Sequence, residues 1–147
     1  MRYVATTRKE GKYTLAFFPD CPGCQTQADP GEDIAAQAAE ALEGWIEAML
    51  AAGDLPERPS KRAPKGARVI WVDVRPRLAV KLELRWARAA AGLSQAELAR
   101  RAGVSQPMIA KMEHPDYNPT IETLEKVAAA LGTRLEVSLR PAARPAA

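Results

Sequence analysis

Residues 93–113, LSQAELARRAGVSQPMIAKME, constrain the fold most, because they spell one helix start, its stop and a second start in close succession. Ser94 followed three residues later by Glu97 is a capping box, in which each side chain satisfies a backbone N–H that the first helical turn leaves free. Leu98 and Ala102 then share a face, Leu93 packs at its head, and Ala99 is small where a second helix must cross. Gly103 can take the left-handed conformation that closes a helix, and Val104 turns inward. Ser105 caps the next helix and Pro107 lies in its first turn, where a missing N–H costs nothing. Ile109 and Met112 are expected in the core, with Gln106, Met108, Ala110 and Lys111 outward or at the leading end.

Two short helices joined by such a turn form a helix-turn-helix unit, whose second helix enters the major groove with its leading residues at base edges. A preceding helix is expected over Pro76 to Gly92, with Leu78, Leu82, Trp86 and Ala89 on one face and Arg85 and Arg88 outward toward phosphates. After Pro119-Thr120, Ile121, Leu124, Val127, Ala128 and Leu131 form an amphipathic helix that Gly132 ends. The period then changes to two. Leu135, Val137 and Leu139 alternate with Glu136 and Ser138, giving a strand without a partner in a helical domain; its economical partner is its twin in a second subunit. The Pro- and Ala-rich tail, 141–147, is expected to be disordered.

The N-terminal part has a different grammar. Tyr3–Thr7 and Tyr13–Phe17 read as a hairpin around Glu10 and Gly11, and Gln25–Gln27 as a short third strand. Asp29, Pro30 and Glu32 suggest a helix cap, followed by Ile34, Ala38, Leu42, Trp45, Ile46 and Met49 at helical spacing up to Gly53. Leu55–Gly66, LPERPSKRAPKG, reads as an exposed, flexible connection. Val69 to Val74 then supplies a fourth strand. The fold class is therefore α+β: a β-β-β-α-β domain over 1–75, then an all-α helix-turn-helix domain with a C-terminal dimerisation strand over 76–140.

Charge divides along the same line. Met1–Glu57 carries 4 basic and 10 acidic residues, whereas Arg75–Ala147 carries 12 basic and 7 acidic. An acidic front suits a basic protein partner and a basic back suits phosphate, so 1–75 is expected to serve the first alone and 76–147 the second.

Two resemblances sharpen this. From about Leu84 to Leu131, the order S-Q-x-E-L-A, G-V-S, Ile109 to Glu113, P-T-I-E-T-L and A-L-G resembles the Cro/C1 (XRE) type of helix-turn-helix domain. That resemblance implies that Gln95 bonds a phosphate, that Ser105, Gln106 and Lys111 face phosphates or bases, and that Asn118 touches the backbone. The chemistry fits, since Gln can bond adenine bidentately and Lys can reach guanine. Pro107 departs from the pattern, standing where that family often has a polar base-reading side chain. From Tyr3 to Val74, the string E-G-x-Y, F-P-D-x-P-G-C-x-T-Q-x-D and A-A-E-A-L resembles the HicB antitoxin domain, a truncated RNase H-like fold. It implies an antitoxin that neutralises a HicA-like mRNA-cleaving toxin and represses its own operon as a homodimer, with pairing into tetramers left open. The rival reading is a stand-alone regulator whose N-terminal domain senses a ligand or serves oligomerisation.

Other functions fit less well. Cys21 and Cys24 are spaced for a redox disulfide or half a zinc site, but His114 is the chain's one histidine, so no metal or cofactor is expected. Asp20, Asp29 and Asp33 fall in a turn and a cap and Asp73 late on a strand, which capping and solubility explain better than a two-metal nuclease, so no catalytic residue is assigned and the chain is not expected to be an enzyme. No apolar run approaches membrane-spanning length, and a cytoplasmic protein is expected.

Overall fold

The computed structural model of the chain describes residues 1–141; of the tail expected to be disordered, all but Pro141 lies outside the described residues. Strands β1 (Arg2–Glu10), β2 (Tyr13–Phe17), β3 (Gln25–Ala28) and β4 (Arg68–Asp73) form an antiparallel sheet in the order β3-β2-β1-β4. Glu10 opposes Tyr13 across the hairpin turn, and Val4 opposes Trp71 on the other side of β1. One sheet face carries Tyr3, Ala5, Ala16 and Val72 against helix α1 (Ile34–Ala52). The helix buries Ala38, Leu42, Ile46 and Leu50, so Leu50 rather than Met49 ends its stripe. On the opposite sheet face Arg2 lies over the Trp71 ring and Arg8 over Phe17.

The start of α1 differs from expectation. Asp33, not Asp29, is the N-cap, its carboxylate accepting from the Ala35 N–H at 2.9 Å. Asp29 and Glu32 do bond each other, Asp29 N–H donating to the Glu32 carboxylate at 2.8 Å, but around a turn. Gly31 at φ 91° cannot belong to a right-handed helix, so the helix waits for the next capping residue.

The Pro-rich connection is also less free than expected. The Trp86 indole donates to the Pro56 carbonyl at 2.7 Å, and the Tyr3 hydroxyl donates to Glu57 O at 2.8 Å. The Ser60 amide and hydroxyl donate to the Asp20 carboxylate at 2.8 and 2.9 Å. Proline-rich chain offers few donors but keeps its carbonyls, and buried indole and phenol groups need acceptors. Residues 56–60 are thus strapped onto the domain, and 61–66 are exposed.

Four further helices follow: α2 (Pro76–Ala90), α3 (Gln95–Ala102), α4 (Gln106–Met112) and α5 (Ile121–Ala130). Helix α2 serves two cores. Leu78, Leu82 and Trp86 pack with the sheet and α1, while Leu84 packs with Leu93, Leu98, Ala99, Ile109, Met112 and Val127. Ala89, expected on the first face, is exposed. Glu43 and Glu47 of α1 are held by Arg77, and Glu43 also by Arg75 at 2.9 Å, which removes part of the acidic surface seen in the sequence.

No C-terminal strand is present among the described residues. Residues 133–141 make no ladder, with Leu135 half-buried, Val137 68% exposed and Leu139 99% exposed. A strand exists only by its inter-strand hydrogen bonds, and this segment pairs with neither edge of the sheet.

Candidate nucleic-acid interface

The helix pair α3 and α4 forms as its caps dictate. The Ser94 hydroxyl accepts from Glu97 N–H at 3.1 Å while the Glu97 carboxylate accepts from Ser94 N–H at 2.7 Å, and these bonds hold the Glu97 carboxyl below its ordinary range. Gly103, at φ 67°, ends α3, and Ser105 accepts from Met108 N–H to start α4. Leu98, Ile109 and Met112 are wholly buried. Met108, expected outward, instead packs partly against this core with its sulfur 3.6 Å from the Tyr117 hydroxyl.

The sequence-assigned residues divide into two sets. Gln95 and Gln106 come together: the Gln106 amide donates to the Gln95 side-chain oxygen at 3.0 Å, and Gln95 donates to the Glu113 carboxylate at 3.0 Å. Both leading ends, one per helix, are thereby fixed in mutual register. Ser105, Lys111 and Asn118 are exposed and spread around α4, Ser105 being occupied as a cap. Gln106 and Lys111 lie on the same short helix, with Gln106 at its start and Lys111 near its end.

Glu113 is the residue that sequence reasoning missed. Only 1% exposed, it accepts from Arg88 Nε at 2.5 Å and Nη2 at 2.8 Å, a bidentate pair, in addition to Gln95. Arg85 and Arg88, expected outward toward phosphates, face inward. The paired carboxylate raises the Arg88 pKa, whereas burial lowers that of Arg85; both guanidiniums stay charged. A buried carboxylate needs such partners, since an isolated buried charge is very costly. The one sequence signal available was the pair of arginines three apart on α2, which helical spacing places on neighbouring rows.

Cys21 and Cys24 are free thiols in the first core, and burial pushes their pKa values up to about 12 and about 11. Thiols so protonated are poor nucleophiles and poor metal ligands near neutral pH. Among the described residues no group of three or more His, Cys, Asp or Glu side chains is placed to hold a metal ion. No helix there is long and apolar enough to cross a membrane.

Comparison with known proteins divides the chain into two matched segments. Residues 3–74 match the HicB-like antitoxin family of bacterial toxin-antitoxin systems, and residues 84–137 match a helix-turn-helix family. Antitoxin HicB 1 of Photorhabdus laumondii is 32% identical over 143 residues, which cover 95% of this chain and 87% of that protein. An HTH-type transcriptional regulator of Haemophilus influenzae is 44% identical over 61 residues, 42% of this chain and 62% of that one. Among solved structures, a chain of a HicA3 and HicB3 toxin-antitoxin complex is 27% identical, with 52% of this chain and 100% of that chain covered at a TM-score of 0.44. One from a Streptococcus pneumoniae toxin-antitoxin module is 44% identical over 43% of this chain and 69% of its own, at a TM-score of 0.38. A relative matched over nearly its whole length, and a family match that ends where the helix-turn-helix match begins within ten residues, lead to one assignment: this chain belongs to the HicB-like antitoxins, a regulatory family without enzymatic activity, and carries a DNA-binding helix-turn-helix domain.

Proposed function

We propose that the chain neutralises a small basic HicA-like toxin with residues 1–75, a truncated RNase H-like domain, and represses its own operon with residues 76–140. It would act in the cytoplasm as a homodimer paired through Leu135, Val137 and Leu139. The acidic groups available to a basic partner cluster at the start of α1, where Asp29, Glu32, Asp33 and Glu40 are exposed, unlike the arginine-bound Glu43 and Glu47. The exposure of Val137 and Leu139 supports pairing with a second copy, because an apolar segment in water gains from any edge that covers it.

One observation carries the operator reading: Gln95 and Gln106 are hydrogen-bonded to each other at the leading ends of α3 and α4. A preformed pair loses less freedom on binding than two mobile amides. Gln106 then reads a base edge, Gln95 bonds a phosphate beside it, Ser105 and Asn118 contact the backbone, and Lys111 contacts a base or phosphate.

Losing a base-reading residue should lower discrimination at one position by about 1–3 kcal/mol, whereas losing a phosphate contact weakens all sequences alike. Gln106→Ala is therefore expected to reduce preference for operator over scrambled duplex. Lys111→Ala should do the same if it reads guanine, or make the salt slope shallower by about one if it neutralises a phosphate. Titration of both variants on the two duplexes at two salt concentrations separates these outcomes. An operator preference unchanged in the double variant would mean that sequence is read through DNA shape instead.

A further inference from the structure

Arg85 joins two helix ends that belong to different cores. Its Nη1 donates to Asp54 O at 2.7 Å and its Nη2 to Leu50 O at 2.7 Å, both at the C-terminal end of α1. The same Nη2 donates to Glu113 O, the C-cap carbonyl of α4, at 3.1 Å. Its Nε faces the Glu113 carboxylate at 3.7 Å without a hydrogen bond. The last turn of α1 contains no basic residue of its own. Unpaired carbonyls and the negative end of the dipole at a helix C-terminus call for a cation, and here one guanidinium from α2 serves two helices. Only a planar fork can do this, since a lysine ammonium lacks the spread of donors.

We infer that Arg85 is a positioning residue for DNA reading: it fastens the end of α4 to the end of α1, so that the N-terminal core sets where the DNA-facing glutamines stand. The route is continuous. Arg85 fixes the backbone of Glu113, whose carboxylate holds Gln95, which holds Gln106. Arg85 itself is 7% exposed and lies within the fold, so it contributes no phosphate contact. The inference rests on the operator reading above and adds to it a dependence of sequence reading on the toxin-binding half of the molecule.

The test uses the full-length chain with Arg85→Lys and Arg85→Met. Operator preference over scrambled duplex is expected to fall by about tenfold in Arg85→Met, the discrimination that one displaced base contact carries, and by less in Arg85→Lys. Binding to scrambled duplex and the salt slope should stay as in the parent, because no cation leaves the DNA surface. A folded Arg85→Lys or Arg85→Met chain that keeps the parent's preference in full would overturn the positioning role. Should Arg85→Met fail to fold, Arg85→Lys decides alone. Amide hydrogen exchange of the DNA-free chain gives a second readout, with faster exchange expected in Arg85→Lys both at the last turn of α1 and in α4. Faster exchange confined to one of them would contradict the clamp. If the parent chain itself shows no operator preference, the operator reading fails, and the exchange experiment still decides whether Arg85 ties the two helices.

Discussion

Glu113→Ala is expected to destabilise the chain by about 3–5 kcal/mol, the range for removing one partner of a buried ion pair. The substitution leaves Arg88 without its bidentate acceptor and Arg85 without its nearest carboxylate, with Arg85 buried and Arg88 half-buried. It also frees Gln95. Domains of this size are stable by only about 5–15 kcal/mol, so the loss is a large share of the whole. The thermal midpoint should drop by roughly 10–20 °C. Glu113→Gln keeps the shape and one acceptor oxygen and should fall between the two. A midpoint within about 2 °C of the parent for Glu113→Ala would show that the network contributes little to the fold.

A chain ending at residue 75 is expected not to fold, although the matched antitoxin segment ends at 74. Leu78 and Leu82 are wholly buried and Trp86 nearly so, and all three lie in the core formed by the sheet and α1. Truncating one such side chain typically costs about 2–5 kcal/mol, so losing three exceeds the stability of a small domain. The cut also removes the Trp86 donor that holds Pro56, and Arg77, which binds Glu43 and Glu47. A chain ending at residue 91 retains these contacts and should unfold cooperatively in urea. Cooperative unfolding of the shorter fragment would refute the role given to α2.

The elements were legible because each is punctuated locally. Ser94 with Glu97, Gly103, Ser105 and Thr120 act through bonds to residues at most five positions away in the chain, so a linear reading finds them. The hairpin of β1 and β2 follows from the same kind of signal, a two-residue turn, whereas β4 reaches the edge beside β1 after a long connection that no local signal directs. What was not legible depends on which surface faces which. Arg85 and Arg88 look solvent-facing on a charged helix until α4 brings Glu113 against them. Asp29, Pro30 and Glu32 match a helix start, yet the positive φ of Gly31 moves the cap four residues on. Leu135, Val137 and Leu139 show strand periodicity, but a strand is a property of two paired segments and this one is paired with no other among the described residues. The motif singles out Gln95 and Gln106, while Glu113, the carboxylate that Gln95 bonds, is hidden from a linear reading by its burial.

The most direct test of the proposed toxin neutralisation is co-expression of the full-length chain with the product of a short basic reading frame beside its own gene, where the proposal expects the toxin. Inducing that frame alone should arrest growth; with this chain present, growth should resume and the two proteins should purify together. Growth that stays arrested while the full-length chain is folded and abundant, with no toxin retained on it, would contradict the proposed neutralisation.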